Sequence, residues 1–239
     1  MRYIYSSLIC FQILSSCLRS TVDNVIQSEP KLYQIQKLGA SPIQVDGRLE
    51  KVWDKAITLS DLTAPWDERL SFTNHFRALH DKNNIYFAFT VEDDDLYLEQ
   101  NYDDEESNAV RSDRVELFFR QADQSSPYYS LEMDADGRLF DSKAVFNQGI
   151  DESWDVDTNG FNTQTTMTDS GYILEGVIAK KVLHELGLIS SDGIILTGIY
   201  RANYHSDTSK VEWITWVNPQ TEKPNFHILF SFGKMVLLE

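Results

Sequence analysis

Ser112-Asp113-Arg114-Val115-Glu116-Leu117-Phe118-Phe119 is the stretch on which the reading of this chain turns. Taken with a period of two, Val115, Leu117 and Phe119 share one face, while Arg114, Glu116 and Phe118 share the other, the pattern of a strand with one side in a core. Tyr128-Tyr129-Ser130-Leu131-Glu132-Met133 follows after a loop with Asp123 and Pro127, so the two runs are expected to pair antiparallel. With Phe118 opposite Ser130, Glu116 meets Glu132. Like charges directly opposite destabilise a sheet, so this register requires an arginine, a cation or a hydroxyl-rich ligand. The alternatives are a register displaced by two, or a solvated face neutralised by Arg114 or Arg201.

Outward from this pair the chain reads as further short strands. Ser71–His80 and Ile85–Val91 flank the Asp81-Lys82-Asn83-Asn84 turn as a hairpin. Phe161–Met167, Gly171–Ala179, Gly193–Tyr204, Val211–Val217 and Phe232–Leu237 continue the set. Pro42–Val45 is expected as a short strand before the Asp46-Gly47 turn. Leu49, Val52, Trp53 and Ala56 recur at helical spacing, with Trp53 in the core, and Lys181–Leu186 is a second helical stretch ended by Gly187. Val211–Val217 sends Trp213 and Trp216 to opposite faces, and both are read as structural. Many short strands with turn signals and one or two short helices make an all-β, antiparallel β-sandwich or jelly roll.

The N-terminus stands apart. Met1–Cys17 carries Arg2 as its sole charge, and Leu14-Ser15-Ser16-Cys17 resembles the bacterial lipobox, in which the cysteine is lipidated after cleavage. Residues 1–17 are therefore expected to be an export signal of lipoprotein type with Cys17 acylated, otherwise an ordinary cleaved signal. Residues 18–41 are expected to be a tether ending in a first edge strand, and 42–239 the β-sandwich. Both cysteines, Cys10 and Cys17, lie in the leader, which leaves the sandwich without a disulfide or a cysteine-based zinc site. The expected location is the periplasm or outer membrane, or the exterior if the leader is simply cleaved, with membrane contact only through the lipid.

A formal charge of −16 argues against nucleic acid, which is held by clustered Lys and Arg. Between Glu92 and Glu106 there are nine acids and no base, which reads as a solvated loop. Asp93, Asp94 and Asp95 are weak calcium candidates, since the spaced ligands and glycine of an EF-hand are missing. No nucleophile elbow, Walker loop, dinucleotide fingerprint or histidine zinc motif is present.

The order of motifs is more specific than any one of them. Val45-Asp46-Gly47, Trp53, Asp81, Ile85-Tyr86-Phe87, Asp113-Arg114-Val115-Glu116-Leu117-Phe118, Tyr172 with Glu175, Trp216-Val217-Asn218-Pro219 and Phe226-His227 before Phe232-Gly233 together resemble the family 9 carbohydrate-binding modules, from about residue 42 to the end. The resemblance implies an immunoglobulin-like sandwich related to the DOMON superfamily, calcium in some members, and non-catalytic binding of oligo- or polysaccharide, with glycan-degrading enzymes as possible associates. It places Glu116 as the sugar-binding glutamate. Where such modules clamp a sugar between two tryptophans this chain has Val110 and Phe226, and their arginine on the following strand is replaced by Glu132. The expected carbohydrate-binding residues are Glu116, Phe226, His227, Glu132, Arg201 and Arg77, with Trp66 and Trp154 as replacement platforms.

Two other functions compete. Glu116 and Glu132 form a candidate glycosidase pair, a retaining enzyme needing carboxyls about 5–5.5 Å apart; against it, Arg114 is expected to lower both pKa values, where a general acid needs a raised one. A haem-binding or scaffold module of DOMON type has His205, His227 and Met133 as potential axial ligands, with nothing pairing them.

Overall fold

The computed structural model describes residues 31–39, 42–67, 73–206 and 210–239; the leader with Cys17 lies outside them. Among these residues the strands are β1 (Leu32–Lys37), β2 (Asn74–His80), β3 (Asn84–Glu92), β4 (Arg114–Arg120), β5 (Tyr128–Asp134), β6 (Leu139–Val145), β7 (Gly149–Asp151), β8 (Phe161–Thr168), β9 (Gly171–Ala179), β10 (Ile194–Tyr204), β11 (Val211–Thr215) and β12 (Gly233–Leu237). One sheet runs β7-β6-β5-β4-β10-β12, with β11 also against β10, and the other runs β2-β3-β9-β8. β12 and β11 occupy successive halves of the same edge of β10, pairing with Ile194–Thr197 and Tyr200–Tyr204.

β1 joins the two sheets. Leu32–Ile35 pairs parallel with β12, and Gln36 and Lys37 pair parallel with β2. The first strand expected near Leu32–Leu38 thus forms, with one parallel neighbour in each sheet. Its alternation explains the position, because Tyr33 and Ile35 are 2% and 0% exposed and enter the core from the seam.

The period-two reading holds where it was strongest. Val115, Leu117 and Phe119 of β4 meet Tyr129, Leu131 and Met133 of β5 and Phe87, Phe89, Tyr172, Leu174 and Trp216 between the sheets. Two smaller apolar clusters lie on the outer faces. On the second sheet, Ile43, Val52, Trp53 and Ala56 cover Leu79 and Ala88. On the first, Phe118, Tyr128, Ala144, Tyr200, Phe226 and Phe232 pack together.

Three local expectations change. Pro42–Val45 makes no ladder; the segment is held by Glu175, whose Oε2 accepts from the N–H groups of Asp46, Gly47 and Arg48 at 2.9–3.1 Å and whose Oε1 accepts from Trp53 Nε1 at 2.8 Å. The helical spacing after it tightens to a 3₁₀ turn over Lys51–Lys55. The acid-rich loop contains a short helix, α1 (Glu105–Ala109), because Asp104 accepts from Ser107 N at 2.7 Å and caps it. The second helix, α2 (Lys180–Glu185), falls where it was expected, with Gly187 beyond its end at φ 68°.

Candidate functional site

The outer face of the first sheet carries the most concentrated chemistry. Glu116 stands opposite Glu132 and Phe118 opposite Ser130, the register with the charge conflict. Arg114 resolves the conflict from two residues away on the same strand. Its Nε donates to Glu132 Oε2 at 2.7 Å, and its Nη2 lies 3.0 Å from Glu116 Oε1. Nη1 donates to the Val110 carbonyl at 2.6 Å and faces the Tyr204 hydroxyl at 3.5 Å. All three charged side chains are at most 5% exposed, so this is no solvated face.

Burial then decides the protonation. Burial first, and the neighbouring Glu132 second, push the Glu116 carboxyl above its ordinary range against the pull of Arg114. The expectation that Arg114 would lower both carboxyls fails for Glu116, because desolvation outweighs one guanidinium. Glu116 Oε1, although close to that guanidinium, is not aligned for a hydrogen bond and has none.

Aromatic side chains surround the cluster. The Arg114 guanidinium lies 5.8 Å from the Trp213 ring and 5.9 Å from that of Tyr204. Trp213 meets Phe226 edge-on at 5.6 Å, and Phe226 stacks on Tyr200 at 4.1 Å with 10° between the rings. Gly198 makes this stack possible: a Cβ there would stand 2.1 Å from the Tyr200 hydroxyl, which instead lies over the glycine and donates to Ser231. Trp66 packs 6.0 Å from Phe226 and donates from Nε1 to the Thr221 carbonyl at 2.8 Å. His227 lies 5.0 Å from the Phe118 ring and shares a 2.9 Å hydrogen bond with Tyr128. Burial lowers the His227 pKa, with Glu132 opposing and Arg114 adding to the shift. Phe140, half-buried, is opposite Glu132 on β6.

Five of the expected residues, Glu116, Glu132, Phe226, His227 and Trp66, thus come to one face. Phe226 is only 5% exposed, so its ring fills space beneath Trp66 and Trp213 instead of offering an open platform. Arg201, in contrast, points between the sheets: it reaches Asp93 Oδ2 at 2.5 Å, Asn203 Oδ1 at 2.6 Å and Asn74 Oδ1 at 2.9 Å. It shares the parity of the buried Ile195 and Ile199, so it cannot contact Glu116. Arg77 lies on the second sheet and donates to Thr58 Oγ1 at 2.9 Å. Trp154 packs 4.8 Å from Tyr129 at the border of the main core, away from Glu116.

The aspartate run does not converge. Asp93 is turned in to Arg201, Asp94 is exposed, and Asp95 lies 3.4 Å from His205. Glu106, Asp141 and Asp155 do bring carboxylate oxygens within 4.8 Å of one another. Their donor type suits calcium, but three side chains fall short of the roughly 6–8 oxygens it takes. Met133 lies in the main core and His227 on the outer face, so the two cannot ligate one haem.

Sequence reasoning offered Arg114 beside Arg201 as the neutralising charge, on a solvated face instead of a buried one, and missed Trp213, Tyr204 and Phe140 as its surroundings. The signal for Trp213 was present in the alternation that separates it from Trp216. For Tyr204 it was the parity shared with Tyr200.

Comparisons with known proteins bear on the family and the fold. The family model described as carbohydrate family 9 binding domain-like matches residues 45–239. A search of curated proteins gives no match. A crystal structure of a candidate carbohydrate-binding protein from Bacteroides uniformis ATCC 8492 superposes with a TM-score of 0.68 at 16% identity, covering 88% of this chain and 100% of that one. A family 9 carbohydrate-binding module from Caldicellulosiruptor kristjanssonii in complex with cellotriose superposes at 0.59 and 18% identity, covering 87% and 93%. The same organism's module with glucose gives 0.57 and 19%, covering 87% and 96%. These likenesses establish a shared fold, and with the family match over most of its length, the chain belongs to the carbohydrate family 9 binding domain-like proteins.

Proposed function

We propose that this protein binds saccharides without catalysis, through the outer face of the first sheet, and that it is exported and lipid-anchored at Cys17 to serve polysaccharide capture. The observation that carries the binding reading is the Arg114–Glu116–Glu132 cluster on the motif strand, bordered by half-buried Trp213, Tyr204, Phe140 and His227. Aromatic faces stack on the apolar side of a sugar ring, while buried carboxylates accept from its hydroxyls. Trp213 takes the platform role that Phe226, being buried, cannot take.

Calorimetric titration against a panel of cello-oligosaccharides and other glycans tests the reading. The wild type binds at least one of them, and Trp213→Ala lowers that affinity about tenfold or more, the scale of a central interface tryptophan. Silence across the whole panel from a folded protein overturns it. Incorporation of labelled palmitate, lost in Cys17→Ala, tests the anchor.

One observation favours a glycoside hydrolase: a carboxyl with a raised pKa beside a second carboxyl is the pattern of an acid and base pair. Arg114 weighs against it, since the guanidinium that bridges Glu116 and Glu132 stands where a scissile bond would have to pass.

A further inference from the structure

The cluster on the outer face is incomplete in charge. Two buried carboxylates, 1% and 3% exposed, share one guanidinium. Its Nε is given to Glu132 and its Nη1 to the Val110 carbonyl and the Tyr204 hydroxyl, while Nη2 lies 3.0 Å from Glu116 Oε1 without the alignment of a hydrogen bond. Among the described residues the other groups facing the cluster supply no cation to it: burial holds His227 toward its neutral form, Tyr128, Tyr200 and Tyr204 are phenols, and Arg120, on the same face beyond Phe118, donates to the Gln121 carbonyl and lies over the Phe232 ring. Lys210, near the start of β11, is tied to Asp67 and Glu212. Glu116 Oε1 is left buried with no hydrogen bond. A buried carboxylate in this condition is costly and is relieved by a proton or by an incoming cation.

We propose that the cluster selects an amino sugar, whose protonated amine supplies the missing positive charge beside Glu116 and Glu132 while the ring rests on Trp213. The inference rests on the saccharide-binding reading above and names its ligand class. A neutral hydroxyl also donates to a carboxylate, but a charge-assisted bond is about twice as strong.

Three trimers with the same β-1,4 skeleton separate the possibilities, because they differ only at C2: cellotriose with a hydroxyl, N-acetylglucosamine trimer with a neutral amide, and glucosamine trimer with an ammonium. Titrations are run at pH 6, where the amine is charged, and at physiological salt, which screens the general attraction of an acidic protein for cations. The wild type is expected to bind the glucosamine trimer about tenfold more tightly than the other two, the scale of a close charge pair. Glu132→Gln, of the same shape, brings the three within about twofold. Binding also releases a proton to buffer, seen as a dependence of the heat on the buffer's ionisation enthalpy, because the cation displaces the proton on Glu116. Equal or tighter binding of cellotriose overturns the inference and leaves the saccharide-binding reading in place. A tenfold preference that survives in folded Glu132→Gln assigns it to general surface charge and overturns the inference too. Failure of every trimer and of the wider glycan panel overturns both.

Discussion

Arg114 shows how one residue decides what a charged strand face becomes. Without it, Glu116 and Glu132 would face each other in a buried row with no cation, and both would have to protonate or the register shift. Arg114→Met is therefore expected to lower unfolding free energy by about 3–5 kcal/mol, the cost of breaking a buried ion pair from one side. Urea unfolding at pH 7 measures this, and a loss under about 1 kcal/mol would show that the cluster is better hydrated than its burial implies. Asp113, one residue earlier and of opposite parity, lies inside and accepts from the Tyr97 and Tyr204 N–H groups. Burial, with Asp93 second, pushes its carboxyl from 3.8 up to about 8. A carboxyl whose pKa is higher in the fold binds more protons folded than unfolded, so its contribution is full below its unfolded pKa and is lost as pH rises through the folded one. Melting temperature is expected to fall between pH 4 and 8, and Asp113→Asn flattens that slope. An unchanged slope in the variant removes Asp113 from the explanation.

At the scale of elements, the segment over residues 42–56 has little regular structure and still covers one face of the second sheet. Its hold is Glu175, which receives four donors from it. Glu175→Ala leaves those donors without their acceptor and is expected to cost about 2–4 kcal/mol. Trp53 fluorescence should shift to the red as its ring loses its seat, and a spectrum like that of the wild type would mean that the apolar contacts of Val52 and Ile43 suffice. The elements themselves were largely legible: alternation in β4, β5 and β9 was strong, and each falls where it was read. Helix α1 was hidden because its cap, Asp104, stands within a run of acids that reads as a solvated loop. Pro42–Val45 was overread because alternation marks an extended segment and not the partner a strand needs.

At the scale of the whole molecule, β1 is the piece on which the sandwich depends beyond its own length. It lies outside the matched span of residues 45–239, yet it is hydrogen-bonded to both sheets and buries Tyr33 and Ile35 between them. A chain beginning at Val45 exposes the edges of β12 and β2 and removes four buried apolar side chains, Tyr33, Ile35, Leu38 and Ile43, worth about 1.5–3 kcal/mol each in burial alone. It is expected to lose cooperative thermal unfolding relative to the full chain. A transition of equal midpoint would make β1 dispensable.

What the amino-acid sequence determined by itself is what local pattern can carry. Alternation named the strands and the faces of Arg114, Glu116 and Phe118, the turn residues spaced them, the acidic excess argued against a nucleic-acid partner, and the ordered motifs pointed to the family. Only the tertiary structure decided the rest, because sheet order and register are set by contacts between residues far apart in the chain. It placed Arg201 between the sheets with Asp93, 108 positions away, and set β1 at the seam. It also closed Phe226 under Trp66 and Trp213, leaving Trp213 beside the arginine that bridges two glutamates. The chemistry of the site was written in residue types, but which of them meet depended on how two sheets and one shared strand pack.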